Sequence, residues 1–539
     1  MTSTFHSIET ARRSLFTQTT ALNTTGHNIA NANTEGYSRQ RVNMTASRPM
    51  EAYGIQRSSV PGQLGTGVEF TSIERIREGF LDDQFRGENA AMGNWSIQSD
   101  TLDKLEAIIN EPSDTGIRTV LDNFWKSWSD LSKSPEDPTA RKIVVQTAQA
   151  LTDAINYMDK QLKGLSSDLS ANLDTKGSEI QGYLGSIRDL NESITKIEGM
   201  GDHANDLRDQ RDLLTDKLSK IINITVVDGE AGYTISMGTQ QLLQGINQPV
   251  VISNPAVPNS GNVFLNNAFA AGSLTGGETY GMIFSNTKYV ADYQKQLDGI
   301  ANTLATGELE VTIPAGSNLP AGTVVLKESE ITNPDGTKVT LAAGAAVPVP
   351  LTGDLKTTVK GMNGLHELGY AMNGTSGRPF FTPTTPGAAI TAANLQLNPL
   401  IAADPTLFAT SLRTTVDAAG NTKVITGNNT MALLISNLKD NSSFTSADGL
   451  KKGSIGSYLS SMVGQLGIQS QEATRQNENS NYLLDQVSSR RQSVSGVSLD
   501  EEMTNMLVYQ HAYSAAARFM TTYDELLDKL INSTGTVGR

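Results

Sequence analysis

Ser498–Ile531 reads SLDEEMTNMLVYQHAYSAAARFMTTYDELLDKLI, and its spacing decides the fold class. Leu499, Met503, Met506, Gln510, Tyr513, Ala517, Met520, Asp524, Leu527 and Ile531 follow alternating steps of four and three. That spacing predicts one helix of about 33 residues, roughly 50 Å long. Its start is marked twice. Ser498 and Glu501 have capping-box spacing, and Asp500, Glu501 and Glu502 place negative charge on the first turn.

The opposite end of the chain carries a weaker version of the same pattern. Ile8, Leu15, Leu22 and Ile29 recur every seventh residue, while Ala11, Gln18, Thr25 and Ala32 between them are small or polar. This is a heptad seam of low stickiness. Four apolar residues are too few to offset the ordering of about 25 residues by themselves. The two ends are therefore expected to be mobile in a monomer and to order by pairing on assembly. An intramolecular bundle fits the heptads equally well.

Between the ends the chain is helical first and strand-like later. A third seam runs through Leu162, Leu169, Leu173, Ile180, Tyr183, Ile187, Leu190, Ile194 and Ile197, interrupted by Gly164, Gly177, Gly182 and Gly185. Each glycine costs up to about 1 kcal/mol against alanine, so this helix needs neighbours. Helical stretches at 81–110, 115–133, 138–161, 204–222 and 454–492 supply candidates. Short Val/Ile/Thr runs broken by Gly, Asn and Pro at 224–281 read as hairpins. A helix at 285–306 follows. The stretch 307–360, with Asn333-Pro-Asp-Gly336, reads as a small inserted β domain.

The fold class is thus α+β and multidomain. Residues 1–45 with 494–539 are expected to form a terminal helical domain. Residues 46–306 with 361–493 would form a mainly helical core, and 307–360 the insertion.

Composition narrows the function. The 539 residues carry 38% hydrophobic and 18% charged side chains, which suits a folded chain of several domains. A formal net charge of −14 repels phosphate backbones, so nucleic acid is not an expected partner. There are no cysteines, which removes disulfides, thiol nucleophiles and Cys-based metal sites. Met1–Ala11 lacks the apolar core of a secretory signal, and the apolar stretch Leu341–Leu351 is short and holds two prolines. No membrane insertion is expected, and any export would use a route that cleaves no signal.

Thr20–Arg41 reads TALNTTGHNIANANTEGYSRQR. Physically it is a helix that runs into an Asn/Gly-rich break at Asn28, Asn31, Asn33 and Gly36, followed by Tyr37, a ring with a polar handle. The whole phrase resembles the N-terminal signature of flagellar rod, hook and hook-associated proteins. Ser493–Leu530 resembles the C-terminal signature of the same axial proteins. The form SVSGVSLDEE at Ser493–Glu502 resembles that of the hook-associated protein 1 (FlgK) family. Asn205–Leu218 (NDLRDQRDLLTDKL) and Asn363–Phe381 (NGLHELGYAMNGTSGRPFF) are similar to internal segments of that family. The likeness weakens at about 225–280 and fails at 307–360.

The resemblance implies a tubular assembly subunit at the hook–filament junction. Its terminal helices would pair to line a central channel, with a helical domain around them and the β insertions outward. The assembly interface would comprise Ile8, Leu15, Leu22, Ile29, Asn28, Asn31, Asn33, Gly36, Tyr37, Leu499, Met503, Met506, Tyr513, Ala517, Met520 and Leu527. Implied partners are other copies, the hook protein, a second junction protein, the type III export apparatus and a cytoplasmic chaperone on the C-terminal helix. The protein would be extracellular, in the flagellum, after a transient cytoplasmic stage.

The sequence carries no recognisable catalytic pattern. None of the five histidines, His6, His27, His203, His366 and His511, is spaced from another like zinc ligands on a helix. His366-Glu367 opens a metalloprotease pattern, but Tyr370 stands where the second histidine belongs. Gly65-Thr-Gly67 lacks the third glycine of a dinucleotide loop, and P-loop and nucleophile-elbow motifs are missing. Asp82/Asp83 and Glu501/Glu502 read as solvated or helix-start charges, and Trp125 and Trp128 as core or interface anchors. No enzyme activity, cofactor or metal is expected. Two other readings stay open: another axial subunit of rod, hook or filament type, and an exported surface adhesin or hydrolase with axial-type termini.

Overall fold

The computed structural model describes residues 5–49, 65–111, 113, 116–229, 232–416, 422–445 and 452–533. In chain order, α1 (Phe5–Ala30) leads into the hairpin β1 (Gln40–Ala46) and β2 (Val68–Arg75). Then come α2 (Gly79–Ile109), α3 (Ile117–Leu131), α4 (Pro138–Glu198) and α5 (Asn205–Ile221). Strands β3 (Thr225–Gly229), β4 (Gly232–Met237) and β5 (Gln240–Gln244) precede α6 (Ser260–Ala270), α7 (Glu278–Phe284) and α8 (Ala291–Thr306). Next are β6 (Glu308–Ile313), β7 (Ser329–Thr332), β8 (Lys338–Leu341), β9 (Asp354–Lys360) and α9 (Gly361–Glu367). Short hairpins and helical turns, among them α10 (Pro399–Ala403) and α11 (Thr430–Ser436), lead to α12 (Ile455–Ser495) and α13 (Leu499–Ser533).

The chain divides into two compact units. The first holds Met1–Trp95, Leu173–Gly281 and Gln476–Arg539; the second holds Ser96–Asn172 and Met282–Arg475.

In the first unit, α5 buries Leu218 and Ile221 near the antiparallel sheet β3-β4-β5, whose Tyr233, Ile235 and Leu243 are buried in turn. The stretch read as hairpins is strand only as far as Gln244. Ser260–Ala270 is a helix because its apolar Leu265 and Ala268 fall three apart on one buried side. Gly261 at its start meets Gly177 of α4, where a Cβ on Gly177 would lie 2.7 Å from the Gly261 Cα. A glycine expected only to weaken α4 is what lets α6 approach it.

In the second unit, Phe124 and Trp128 of α3 pack with Phe380, Phe381 and Phe408, ring centroids 5.0–6.5 Å apart. Both Trp125 and Trp128 are core residues. The stretch 307–360 forms an antiparallel four-stranded sheet in the order β6-β9-β7-β8, with Glu308 opposite Lys360.

One helix differs plainly from its sequence reading. The two stretches 138–161 and 162–197 are one continuous helix of 61 residues, roughly 90 Å long. No residue breaks it near 161, since Leu162, Leu165 and Leu169 are all buried. Its later seam also shifts by one position, with Leu184 and Asn191 buried where Tyr183 and Leu190 were expected.

Candidate functional site

Helices α1 and α13 lie side by side in the first unit, and the β1–β2 hairpin packs on α1. The buried face of α1 consists of Ala11, Thr17, Ala21, Thr24, Thr25 and Asn28. The apolar row Ile8, Leu15, Leu22 and Ile29 is only half-buried. The small, polar side of the heptad is therefore the one turned inward. Small side chains allow close approach, and buried hydroxyls are satisfied locally: Thr24 Oγ1 donates to the Thr20 carbonyl at 3.0 Å.

The surface of α13 divides into four faces at about 3.6 residues per turn. Toward α1, Glu502 is buried and Asn505, Met506, Tyr509, Ala512, Ala516, Met520, Tyr523 and Leu527 are half-buried. On one flank Leu499 and Met503 are exposed, at 47% and 56%. On the other, Val508, Phe519, Leu526 and Leu530 are 46–57% exposed. The face opposite α1 is exposed and mostly polar, with Asp500, Thr504, His511, Ser514, Arg518, Glu525 and Lys529, and it also carries Leu507 at 56%.

At the base of the pair, a polar knot replaces apolar packing. Asn28 Nδ2 donates to the Gln40 carbonyl at 2.9 Å and to Glu502 Oε2 at 3.1 Å. Asn28 Oδ1 accepts from the Gln40 N–H at 3.0 Å and the Tyr37 hydroxyl at 2.8 Å. Arg39 donates to Glu502 at 2.7 Å and to Glu501 at 2.8 Å. Glu502 is thus a buried tertiary partner as well as a helix-start charge. Ser498 Oγ accepts from the Glu501 N–H at 3.5 Å. Burial, then the nearby Asp206, Asp209 and Glu502, push the Tyr37 hydroxyl well above its ordinary range, so it stays a donor.

The Asn/Gly break behaves as a turn. Asn31 Nδ2 donates to the His27 carbonyl at 3.1 Å, and Asn33 is exposed. Gly36 has φ +81°, and a Cβ there would meet Leu213 at 3.0 Å.

Of the sixteen residues anticipated as an interface, Asn28, Tyr37, Met506, Ala517, Met520 and Leu527 lie in or beside the helix pair or its base. Ile8, Leu15, Leu22 and Ile29 sit at its edge, while Leu499, Met503 and Tyr513 point outward. Arg39, Gln40, Glu502 and the acidic residues of α5 were not anticipated. For the α5 residues the signal was the alternation of Arg and Asp in NDLRDQRD.

The acidic residues of α5 enter a buried ionic cluster with arginines from elsewhere in the chain. Arg75 donates to Asp209 at 2.7 Å and Asp212 at 2.9 Å; Arg77 bonds Asp82 at 2.6 Å; Arg86 bonds Asp216 at 3.0 Å. Arg491 of α12 reaches Asp216 at 2.6 Å and stacks over Phe85. Burial pushes the Asp209 carboxyl up. Burial also opposes ionisation of Asp212, but Arg77, Arg75, Arg211 and Arg86 hold it below its ordinary value.

Among the described residues no cluster of His, Asp and Glu has metal-site geometry, and no helix is long and apolar enough to cross a membrane. The apolar and polar stripes of the helix pair are suited to binding other helices.

Three family models match the chain: "Flagella basal body rod protein" at residues 8–37, "Flagellar hook-associated protein FlgK helical domain" at 102–308, and "Flagellar basal body rod FlgEFG protein C-terminal" at 489–533. The flagellar hook-associated protein 1 of Bacillus subtilis is 32% identical over 547 residues, covering 100% of both chains. That of Escherichia coli is 24% identical, covering 95% of this chain and 96% of its own. A solved structure of the flagellar hook junction protein FlgK from Burkholderia pseudomallei aligns with TM-score 0.48 and 15% identity, over 76% of this chain and 100% of that one.

Proposed function

This chain belongs to the flagellar hook-associated protein 1 family, and from that premise we propose how it acts. It is a structural component of the bacterial flagellum at the junction between hook and filament. The observation that carries the mechanism is the four-sided division of α13. One side is taken by α1, the opposite side is mostly polar apart from Leu507, and each flank carries uncovered apolar side chains. Two uncovered flanks on opposite sides of one helix are covered together when identical subunits stand side by side in a heterologous ring or helix. The Val508–Phe519–Leu526–Leu530 flank of one copy then meets the Leu499–Met503 flank of the next. The polar faces line the interior, and the half-buried Ile8–Leu15–Leu22–Ile29 row lies at the edge of the contact.

The finer partners are those the family resemblance implies. Hook protein and a second junction protein lie on the two sides of the assembly. Before export through the flagellar type III apparatus, a cytoplasmic chaperone covers the apolar flanks of α13, which would otherwise promote association. The mature protein is extracellular.

Deleting the gene tests the function. Cells should keep hooks but release filament protein into the medium, and cells that retain attached filaments would refute the junction role.

A further inference from the structure

In the second unit, β9 is paired on both edges where it begins and on one edge where it ends. Strand β6 follows it throughout, from Ile313 opposite Leu355 to Glu308 opposite Lys360. On the other side β7 pairs only through Glu330, Ile331 and Thr332, opposite Lys356, Leu355 and Asp354. The chain before β7 turns to another partner. Val325 N–H donates to the Ala345 carbonyl at 3.0 Å, and the Val325 carbonyl accepts from the Gly344 N–H at 2.8 Å.

The direction in which the end of β9 points its backbone follows from β6. Glu310 N–H donates to Ser443 Oγ at 3.1 Å, and the Glu310 carbonyl accepts from Asn441 Nδ2 at 3.2 Å, so Glu310 faces away from β9. In an antiparallel pair the residue opposite then faces away as well. That residue is Thr358. Lys360, two positions on, shares its direction. Among the described residues no hydrogen-bond partner meets the Thr358 N–H or carbonyl, or the Lys360 N–H.

A cleft of 360 Å³ lies along this open edge. Residues 357–360 line it from both faces of β9, so it follows the edge of the strand and does not cover a face. Residues 324–326 form the opposite wall, where Val324 and Leu326 are 51% and 45% exposed. The Ser329 hydroxyl, 2.8 Å from that of Thr357, bounds one end, and α9 lines the other with Gly364 and Glu367.

We propose that this cleft takes an extended, uncharged segment of another protein, about four residues long, which adds to the sheet along β9.

An extended chain is the ligand whose N–H and carbonyl recur at every second residue, as those of Thr358 and Lys360 do. The apolar wall favours β-branched side chains on that segment. Charge at the mouth is already balanced, with Lys360 near Glu367 and Lys327 2.5 Å from Glu308. A second copy fits less well. The chain's own exposed edge strands of that length, β3 and β8, carry Asp228 and Lys338, and such charges keep edges from pairing. The proposal is independent of the junction role and of the terminal helices.

The test uses the full-length chain and a capped Thr-Val-Thr-Val peptide, read by hydrogen exchange of the 354–361 stretch. Exchange there should slow saturably, with a midpoint below about 1 mM. Two further peptides carry N-methyl groups on both valines or on both threonines. Alternate N–H groups of an added strand face β9, so one of these should bind about tenfold or more weaker while the other still binds. Leu326→Asp should weaken the parent peptide about tenfold or more, while Val339→Asp, on β8 and 46% exposed, should not. No protection at any concentration would overturn the proposal. So would equal behaviour of the two methylated peptides, or equal weakening by the two variants. A chain that dimerises in sedimentation, and does so less in Leu326→Asp, would replace the foreign segment with a second copy and overturn it too.

Discussion

Asp212 lies 2.9 Å from Arg75 and 3.4 Å from Arg77, with Arg211 and Arg86 at 3.8 and 3.9 Å. Asp212→Asn leaves several buried guanidiniums undercompensated, and its expected cost is about 3–5 kcal/mol. A urea midpoint unchanged from the parent would exclude that role. Gly36→Ala should cost about 1–3 kcal/mol, because the backbone there is left-handed and Leu213 fills the space. His366 gives a pH signature. It is fully buried, with Nδ1 donating to the Arg378 carbonyl and Nε2 accepting the Ala409 N–H at 2.8 Å, so it is neutral. Burial pushes it down to about 4 from 6.5. Between those values the unfolded chain binds the extra proton, so the stabilisation present above pH 6.5 is lost as pH falls toward 4, at about 1.4 kcal/mol per unit. Urea midpoints at pH 7 and 5 should differ more for the parent than for His366→Gln. Residues of this kind were poorly legible in sequence. Glu502 reads in sequence as a helix-start charge, and nothing local gives Asp212 a buried role; both acquire one from distant arginines that the fold places beside them.

Among the elements, α13 was legible as a helix from Ser498 onward, because period and capping are local. Which of its faces meets α1 was not. The row that carries the heptad in sequence is centred beside the contact, and Val508, Phe519, Leu526 and Leu530 form a second apolar row that a single seam does not describe. The same reversal occurs on α1, where Thr17, Ala21, Thr24 and Thr25 go inward ahead of Leu15 and Leu22. Phe519→Asp should therefore leave helical content intact, since that ring is 46% exposed, yet block incorporation into the junction. Motility with normal filaments in that variant would show that this flank meets no neighbour. Circular dichroism of the purified protein separates this effect from misfolding. Gly177 makes the parallel point for α4. Its helix-weakening effect is local, but its benefit, contact with Gly261, exists only after folding.

For the whole molecule, the terminal pair is expected to be the least protected part of the isolated chain. Amides of α1 and α13 should exchange about 100-fold or more faster than those of the buried middle of α4, and should slow on assembly. Equal protection in the monomer would mean that the pair needs no neighbours. Sequence alone determined that the ends are helical, that the middle mixes helix and strand, and that the chain shares the axial signatures, because periodicity, caps and motifs are carried by near neighbours. Only the tertiary structure decided which helix faces are covered and that α4 is one rod. It alone also turned the acidic face of α5 into a buried ionic cluster, because burial and ion pairing depend on groups far apart along the chain.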